Sequence, residues 1–112
     1  MASLTVSSTL QTGSTVSAGT AAGSIKAQNR TFSLTGIKNT TYLAGDSVQI
    51  WGSNDGGTSY QPLCGPGGGI VQLTYGRPLI TITDDCDHYA AQRTGVAAGS
   101  TLVAVGFNGE PL

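Results

Sequence analysis

Asp84-Asp85-Cys86-Asp87-His88 concentrates three carboxylates, a thiol and the chain's one imidazole in five residues. Carboxylates bunched in a loop can hold calcium, but this stretch lacks the spaced Asp/Asn ligands, central Gly and terminal Glu of an EF-hand loop. Zinc would need further Cys or His, and Cys64 is the one other cysteine. A solvated turn between strands explains the same composition, because such residues hydrogen-bond their own backbone. Nucleophilic catalysis would have to use His88, and no G-x-S-x-G elbow presents a serine. The other acidic residues, Asp46, Asp55 and Glu110, are remote from the stretch, so no two carboxylates are set to flank a substrate. The inventory points away from an enzyme. No metal or cofactor is assigned.

Gly65-Pro66-Gly67-Gly68-Gly69-Ile70 invites comparison with a phosphate-cradling loop. Such loops lead into a helix and often carry Lys, whereas here Lys is absent and a β-branched run follows. A flexible crossover between two sheets is the expectation. The other candidate is an aromatic pair. In the stretch from Val48 to Leu63, two strand-like runs flank Ser53-Asn54-Asp55-Gly56-Gly57, and Asp-Gly is a strong type I′ hairpin signal. A two-residue Asp55-Gly56 loop predicts Trp51 opposite Tyr60, Ile50 opposite Gln61 and Val48 opposite Leu63. Trp51 and Tyr60 then share one face and Val48, Ile50 and Leu63 the other. The aromatic pair fits a core position, a protein interface or a sugar-stacking platform.

These residues must be positioned by a small domain. The chain has 112 residues, enough for one modest core. Only 10% are charged, against roughly 25% in an average soluble domain, so little of the surface is kept soluble by charge and much of it is expected to be covered by partners. The net charge is −1 and Lys26, Arg30, Lys38, Arg77 and Arg93 are scattered, which argues against nucleic acid. No run has the length of a membrane-spanning helix, so no membrane partner is expected. The first ten residues lack a basic n-region and a continuous apolar h-region, so no secretory signal is read there. Two cysteines, Cys64 and Cys86, do not make a disulfide framework.

Residues 1–24 are mostly Ser, Thr, Gly and Ala, which cannot form a core alone. Leu4, Val6, Leu10 and Val16 nevertheless sit among β-branched Thr, so the segment reads either as a tail or as an arm that adds a strand to a neighbouring subunit. Fully extended it reaches roughly 80 Å, several times the ~13 Å radius of gyration of a compact 100-residue domain. From residue 25 to residue 112 the strand signals are regular. Arg77-Pro78 and Ala97 to Ser100 read as turns, Ile80 and Ile82 share a face opposite Leu79, and Leu102 to Phe107 reads as a closing strand. Seven or eight short strands, with turn signals every eight to twelve residues and no helical period, predict an all-β fold, a single antiparallel β-sandwich.

The hairpin from Val48 to Leu63, followed by Leu79 to Thr83 and by the strand ending in Arg93-Thr94-Gly95, resembles small β-sandwich proteins among tailed-bacteriophage structural genes. The likeness covers about residues 46–107 and is to capsid decoration, or cement, proteins. It implies a structural virion protein on the outer capsid surface, with the major capsid protein as partner and a homo-oligomer, trimer favoured. It also implies an extended terminal arm, which would place Leu4, Val6 and Leu10 on the capsid. Residues 1–24 match no motif of that family, so the arm rests on composition. The competing expectations are a carbohydrate-binding module using Trp51 and Tyr60 on a fibre or tail tip, and a minor head–tail or tail protein.

Overall fold

The computed structural model describes residues 4–9, 30–36, 43–65, 68–82, 86, 88–100 and 102–109. Leu10, Val16 and the rest of residues 10–29 lie outside them, as do Asp84, Asp85 and Asp87. Among the described residues the regular structure is all β, without helix, and every strand pairing is antiparallel. The strands are β1 (Leu4–Thr9), β2 (Arg30–Gly36), β3 (Ser47–Ser53), β4 (Gln61–Pro62), β5 (Gln72–Thr74), β6 (Leu79–Ile82), β7 (His88–Gly95) and β8 (Leu102–Gly109).

One sheet has the order β1-β8-β2-β6. Its first pairing sets Leu4 opposite Gly109 and Thr9 opposite Ala104. Over these six residues the segment expected to be an arm therefore has a strand partner in its own chain. In the second sheet β3 is central. β7 pairs along its whole length, while β4 and β5 pair in succession with Trp51–Gly52 and with Ser47–Gln49. Alternation makes β3 a core strand: Val48 and Ile50 are fully buried and Ser47, Gln49 and Trp51 half-buried. Ile80 and Ile82 of β6 are buried and Leu79 is exposed, as their spacing predicts.

Side chains of both sheets meet in one apolar cluster. Val48, Ile50, Leu73 and Tyr89 come from the β3 sheet, and Ile80, Ile82, Leu102, Val105 and Phe107 from the other. Tyr89 and Phe107 join the two edge to face, with ring centroids 5.9 Å apart at 88°. Such a contact adds about 0.5–1.5 kcal/mol beyond the area buried. Fully burying a Val, Leu, Ile or Phe side chain contributes roughly 1.5–3 kcal/mol, so this cluster is the main source of stability.

Two expectations about the β3 sheet are corrected. Trp51 stands opposite Pro62, not Tyr60, and Gly52 opposite Gln61. Val48 stands opposite Leu73 and Arg93, while the Leu63 amide donates to the Ile50 carbonyl at 3.0 Å. The register has moved by two residues because the loop is longer than Asp55-Gly56. Gly56 and Gly57 both have positive φ, 74° and 89°. An even shift leaves every side chain on its expected face. The glycine-rich run is likewise no crossover between sheets. Cys64 and Ile70 bridge its ends, and the Val71 amide returns to the Leu63 carbonyl at 2.9 Å. The run is a loop thrown out from one interrupted edge strand. The chain changes sheets later, where Thr74 and Arg77 exchange backbone bonds of 3.1 Å and β6 follows in the other sheet.

A polar staple ties β3 to β7 and to the start of β8. The Asp46 carboxylate is buried and accepts from the amides of Leu43 (2.7 Å) and Ala97 (2.9 Å) and from the Ser100 hydroxyl (2.8 Å). Arg93 reaches the same carboxylate at 3.3 Å, the Ser100 hydroxyl at 2.6 Å and the Leu102 carbonyl at 2.8 Å. Burial pushes the Asp46 carboxyl up, but the bonds from Ala97, Leu43, Ser100 and Arg93 outweigh it and hold it below its ordinary 3.8. Beside the staple, the Thr94 and Ser47 hydroxyls bond at 2.7 Å. A Cβ on Gly95 would meet Ser47 Oγ at 2.6 Å and the Gly45 carbonyl at 2.7 Å, which excludes any larger residue. Arg93, Thr94 and Gly95 at the end of β7 are thus all engaged in holding the fold.

Candidate functional site

The face of the β3 sheet turned away from the core carries the aromatic pair. Tyr60 and Ala90 form a small buried cluster against which half-buried Trp51 packs. The indole Nε1 donates to Gln92 Oε1 at 3.1 Å and so fixes the ring. Ala90, opposite Trp51 in the register, is small enough to let the indole lie over β7. Tyr60 is only 6% exposed, so the accessible aromatic surface here is Trp51's and not a two-ring platform. Alternation and register place Ser47, Gln49, Trp51 and Ser53 of β3 on this face with His88, Ala90, Gln92 and Thr94 of β7. Pro62, opposite Trp51, and Gln72, opposite Gln49, extend it. None of these is Asp, Glu, Lys or Arg. Sequence reasoning found the two aromatics but missed the amides and hydroxyls around them, which only the pairing of β3 with β7 assembles.

At one end of this sheet the Ser53–Ser59 loop borders a cleft of about 540 Å³ that Gln61, Leu63 and Cys86 also line. Asp55 organises the loop. Its Oδ1 accepts from Ser53 Oγ at 2.7 Å and the Ser59 amide at 2.9 Å, and its Oδ2 from Ser59 Oγ at 2.6 Å. Ser53 Oγ in turn accepts from the Gly57 amide at 3.0 Å. The Ser59 side-chain and backbone bonds, with Ser53, pull the Asp55 carboxyl down to about 2. A carboxylate so held is ionised at neutral pH and has both oxygens engaged, so it is a poor proton carrier. It is a structural clamp. Gly52 forms part of the cleft wall, and a Cβ there would lie 2.6 Å from Cys86 Sγ.

The acidic stretch is described only at its margins. The Cys86 amide donates to the Tyr89 hydroxyl at 2.9 Å, and His88 is the first residue of β7, opposite Ser53. Asp84, Asp85 and Asp87, on which a metal site would depend, lie outside the described residues. Among the described residues no three His, Cys, Asp or Glu side chains come together to hold an ion. Cys64 is exposed and Cys86 half-buried, and among the described residues neither forms a disulfide. The backbones of Leu4 and Val6 lie on β1, and Leu10 and Val16 are outside the described residues. No described helix is long and apolar enough to cross a membrane. The chain matches no protein-family model, no curated protein and no solved structure.

Proposed function

We propose that this chain is a structural virion protein, a β-sandwich that binds the outer surface of a phage capsid and stabilises it by bridging coat subunits. The observation that carries the reading is the uncharged face of β3 and β7 that bears Trp51, with Gln92 bonded to the indole and Gln49 and the bonded hydroxyls of Ser47 and Thr94 farther along the same face. The centres of protein interfaces are depleted of charge and enriched in Trp and Tyr, and they often rest on one anchored aromatic. The resemblance in the hairpin and in Arg93-Thr94-Gly95 supports the fold more than the binding, because those residues are occupied with folding. In this reading the part of residues 1–24 beyond β1, whose backbone already pairs with β8, adds further contacts along the shell, and several weak contacts on one linked oligomer sum to firm attachment. Self-association of the chain belongs to the same proposal.

The test is co-sedimentation of the purified protein with capsid shells that lack it, with tryptophan emission recorded as binding proceeds. The expected outcome is binding with a shift in Trp51 emission. Trp51→Ala should weaken it on the order of 30-fold, the effect of losing a hot-spot side chain. Binding unchanged in Trp51→Ala, or an emission shift given by polysaccharides and not by shells, would sink the proposal.

A further inference from the structure

Asp55-Gly56 is the one Asp-Gly pair in the sequence, and Asn108-Gly109 is the one Asn-Gly pair. Both pairs are chemically labile in water, because glycine has no side chain to screen its amide nitrogen from Cγ of the residue before it. At Asp55, a bond from the Gly56 nitrogen to Cγ closes a succinimide ring. One carboxyl oxygen leaves as water, taking the amide proton and, from a carboxylate, one proton of the solvent. Water then reopens the ring. Cleavage of the nitrogen–Cγ bond restores aspartate. Cleavage at the main-chain carbonyl leaves isoaspartate, with the chain running through Cβ and Cγ.

The two pairs sit in opposite settings. Asn108 lies inside β8, opposite Thr5 of β1 and Thr31 of β2, where pairing on both sides holds the backbone extended. Asp55 and Gly56 are exposed in the Ser53–Ser59 loop, Gly56 has a φ of 74°, and a Cβ added to it would meet nothing within 4 Å. Packing therefore does not shield this pair. What holds it is the set of bonds to the Asp55 oxygens. Oδ1 accepts from Ser53 Oγ and the Ser59 amide, and Oδ2 from Ser59 Oγ. Ring closure removes one of these oxygens, and the bonds it accepts are lost with it. The same bonds favour the charged carboxylate and pull the carboxyl down to about 2, whereas the oxygen leaves as water only once it is protonated. We propose that Asp55-Gly56 is a latent isoaspartate site, and that Ser59, with Ser53, suppresses its rearrangement by holding both carboxyl oxygens. Rearrangement would lengthen the loop backbone by one carbon and move the carboxylate from Cβ to Cα, dismantling the clamp. The proposal does not depend on what the Trp51 face binds.

Isoaspartate at residue 55 is counted in the full chain by enzymatic methyl labelling, and located by electron-transfer fragmentation of the digested protein. Near neutral pH the folded wild type should accumulate it on the order of tenfold slower than the same chain unfolded in urea, because a depressed carboxyl is protonated that much less often. Ser59→Ala, at an exposed position, should leave far-UV circular dichroism unchanged and rearrange several-fold faster than the wild type. Ser59→Thr keeps a hydroxyl and should return the rate toward that of the wild type. A folded wild type as fast as the unfolded chain, Ser59→Ala no faster than the wild type, or Ser59→Thr as fast as Ser59→Ala would overturn the proposal. Should Ser59→Ala not fold, the pH profiles of the wild type decide. On acidification the unfolded chain should speed up as pH approaches the ordinary 3.8, and the folded chain only as it approaches 2. Coincident profiles would overturn the proposal.

Discussion

Two carboxylates in this chain do similar chemistry in opposite surroundings. Asp46 is buried and gathers two amides, a hydroxyl and a guanidinium from four places in the sequence. Asp55 stands at the surface and gathers hydroxyls and an amide from residues no more than four positions away. Both are held below the ordinary carboxylate value. The difference lies in what fails when the carboxylate is lost. At Asp46 a mostly buried guanidinium and the buried Ala97 amide lose their acceptor, whereas at Asp55 water replaces the acceptor at once. One clamp holds strands together across the fold, and the other only shapes a loop.

The largest expected effect is therefore from Asp46→Asn. The amide keeps the shape but removes the charge opposite Arg93 and turns a donor toward the Ala97 or Leu43 amide. Destabilisation of about 3–5 kcal/mol in urea unfolding is expected, the usual cost of breaking a buried ion pair. A loss no greater than that of a surface substitution would show that the staple is incidental. Next is Ser100→Ala, which takes one partner from both Asp46 and Arg93. It should cost about 1–3 kcal/mol, and in the Asp46→Asn background distinctly less, because the two changes share one network. Gly52→Ala lies on the border of the Asp55 cleft but perturbs the core, since its Cβ would press on Cys86 Sγ at 2.6 Å and Leu63 Cδ2 at 3.0 Å. It should cost about 1–3 kcal/mol by overpacking.

The smallest effect, and the one that sharpens the comparison most, is from Asp55→Asn. Its folded value of about 2 lies below the ordinary 3.8. A depressed carboxyl contributes stability above the unfolded value, and that contribution is lost as pH falls through the folded one. Between about pH 4 and pH 2 the wild type should lose stability that Asp55→Asn lacks at every pH. The two unfolding midpoints should converge toward pH 2. Curves that stay parallel across that window would deny the clamp its part in the fold.

Much of this architecture was legible in local patterns. The alternation of Val48 and Ile50, of Ile80 and Ile82 against Leu79, and the turn at Ala97–Ser100 all follow from period two and from glycine's access to positive φ. Register was not legible. The Asp-Gly pair is a real turn signal, but a carboxylate that can bond Ser53 and Ser59 at once favours the longer loop, and that competition depends on side-chain geometry. The glycine-rich run misled for a related reason. Flexible residues permit a crossover and a thrown loop equally, and the choice fell to the bonds that Ile50 offers to Leu63 and Val71.

What the sequence determined alone is the all-β class and, in strands such as β3 and β6 where alternation is clean, the side that turns inward, because those follow from chemistry repeating every second residue. Which strands become neighbours was left to the tertiary structure. Asp46, Arg93 and Ser100 carry no sign of their meeting, being 47 and 54 residues apart along two of their contacts. The uncharged surface around Trp51 is likewise spread over β3, β4, β5 and β7 until pairing joins them. Proximity between distant segments is a property of the whole packed core, and no local stretch holds enough information to specify it.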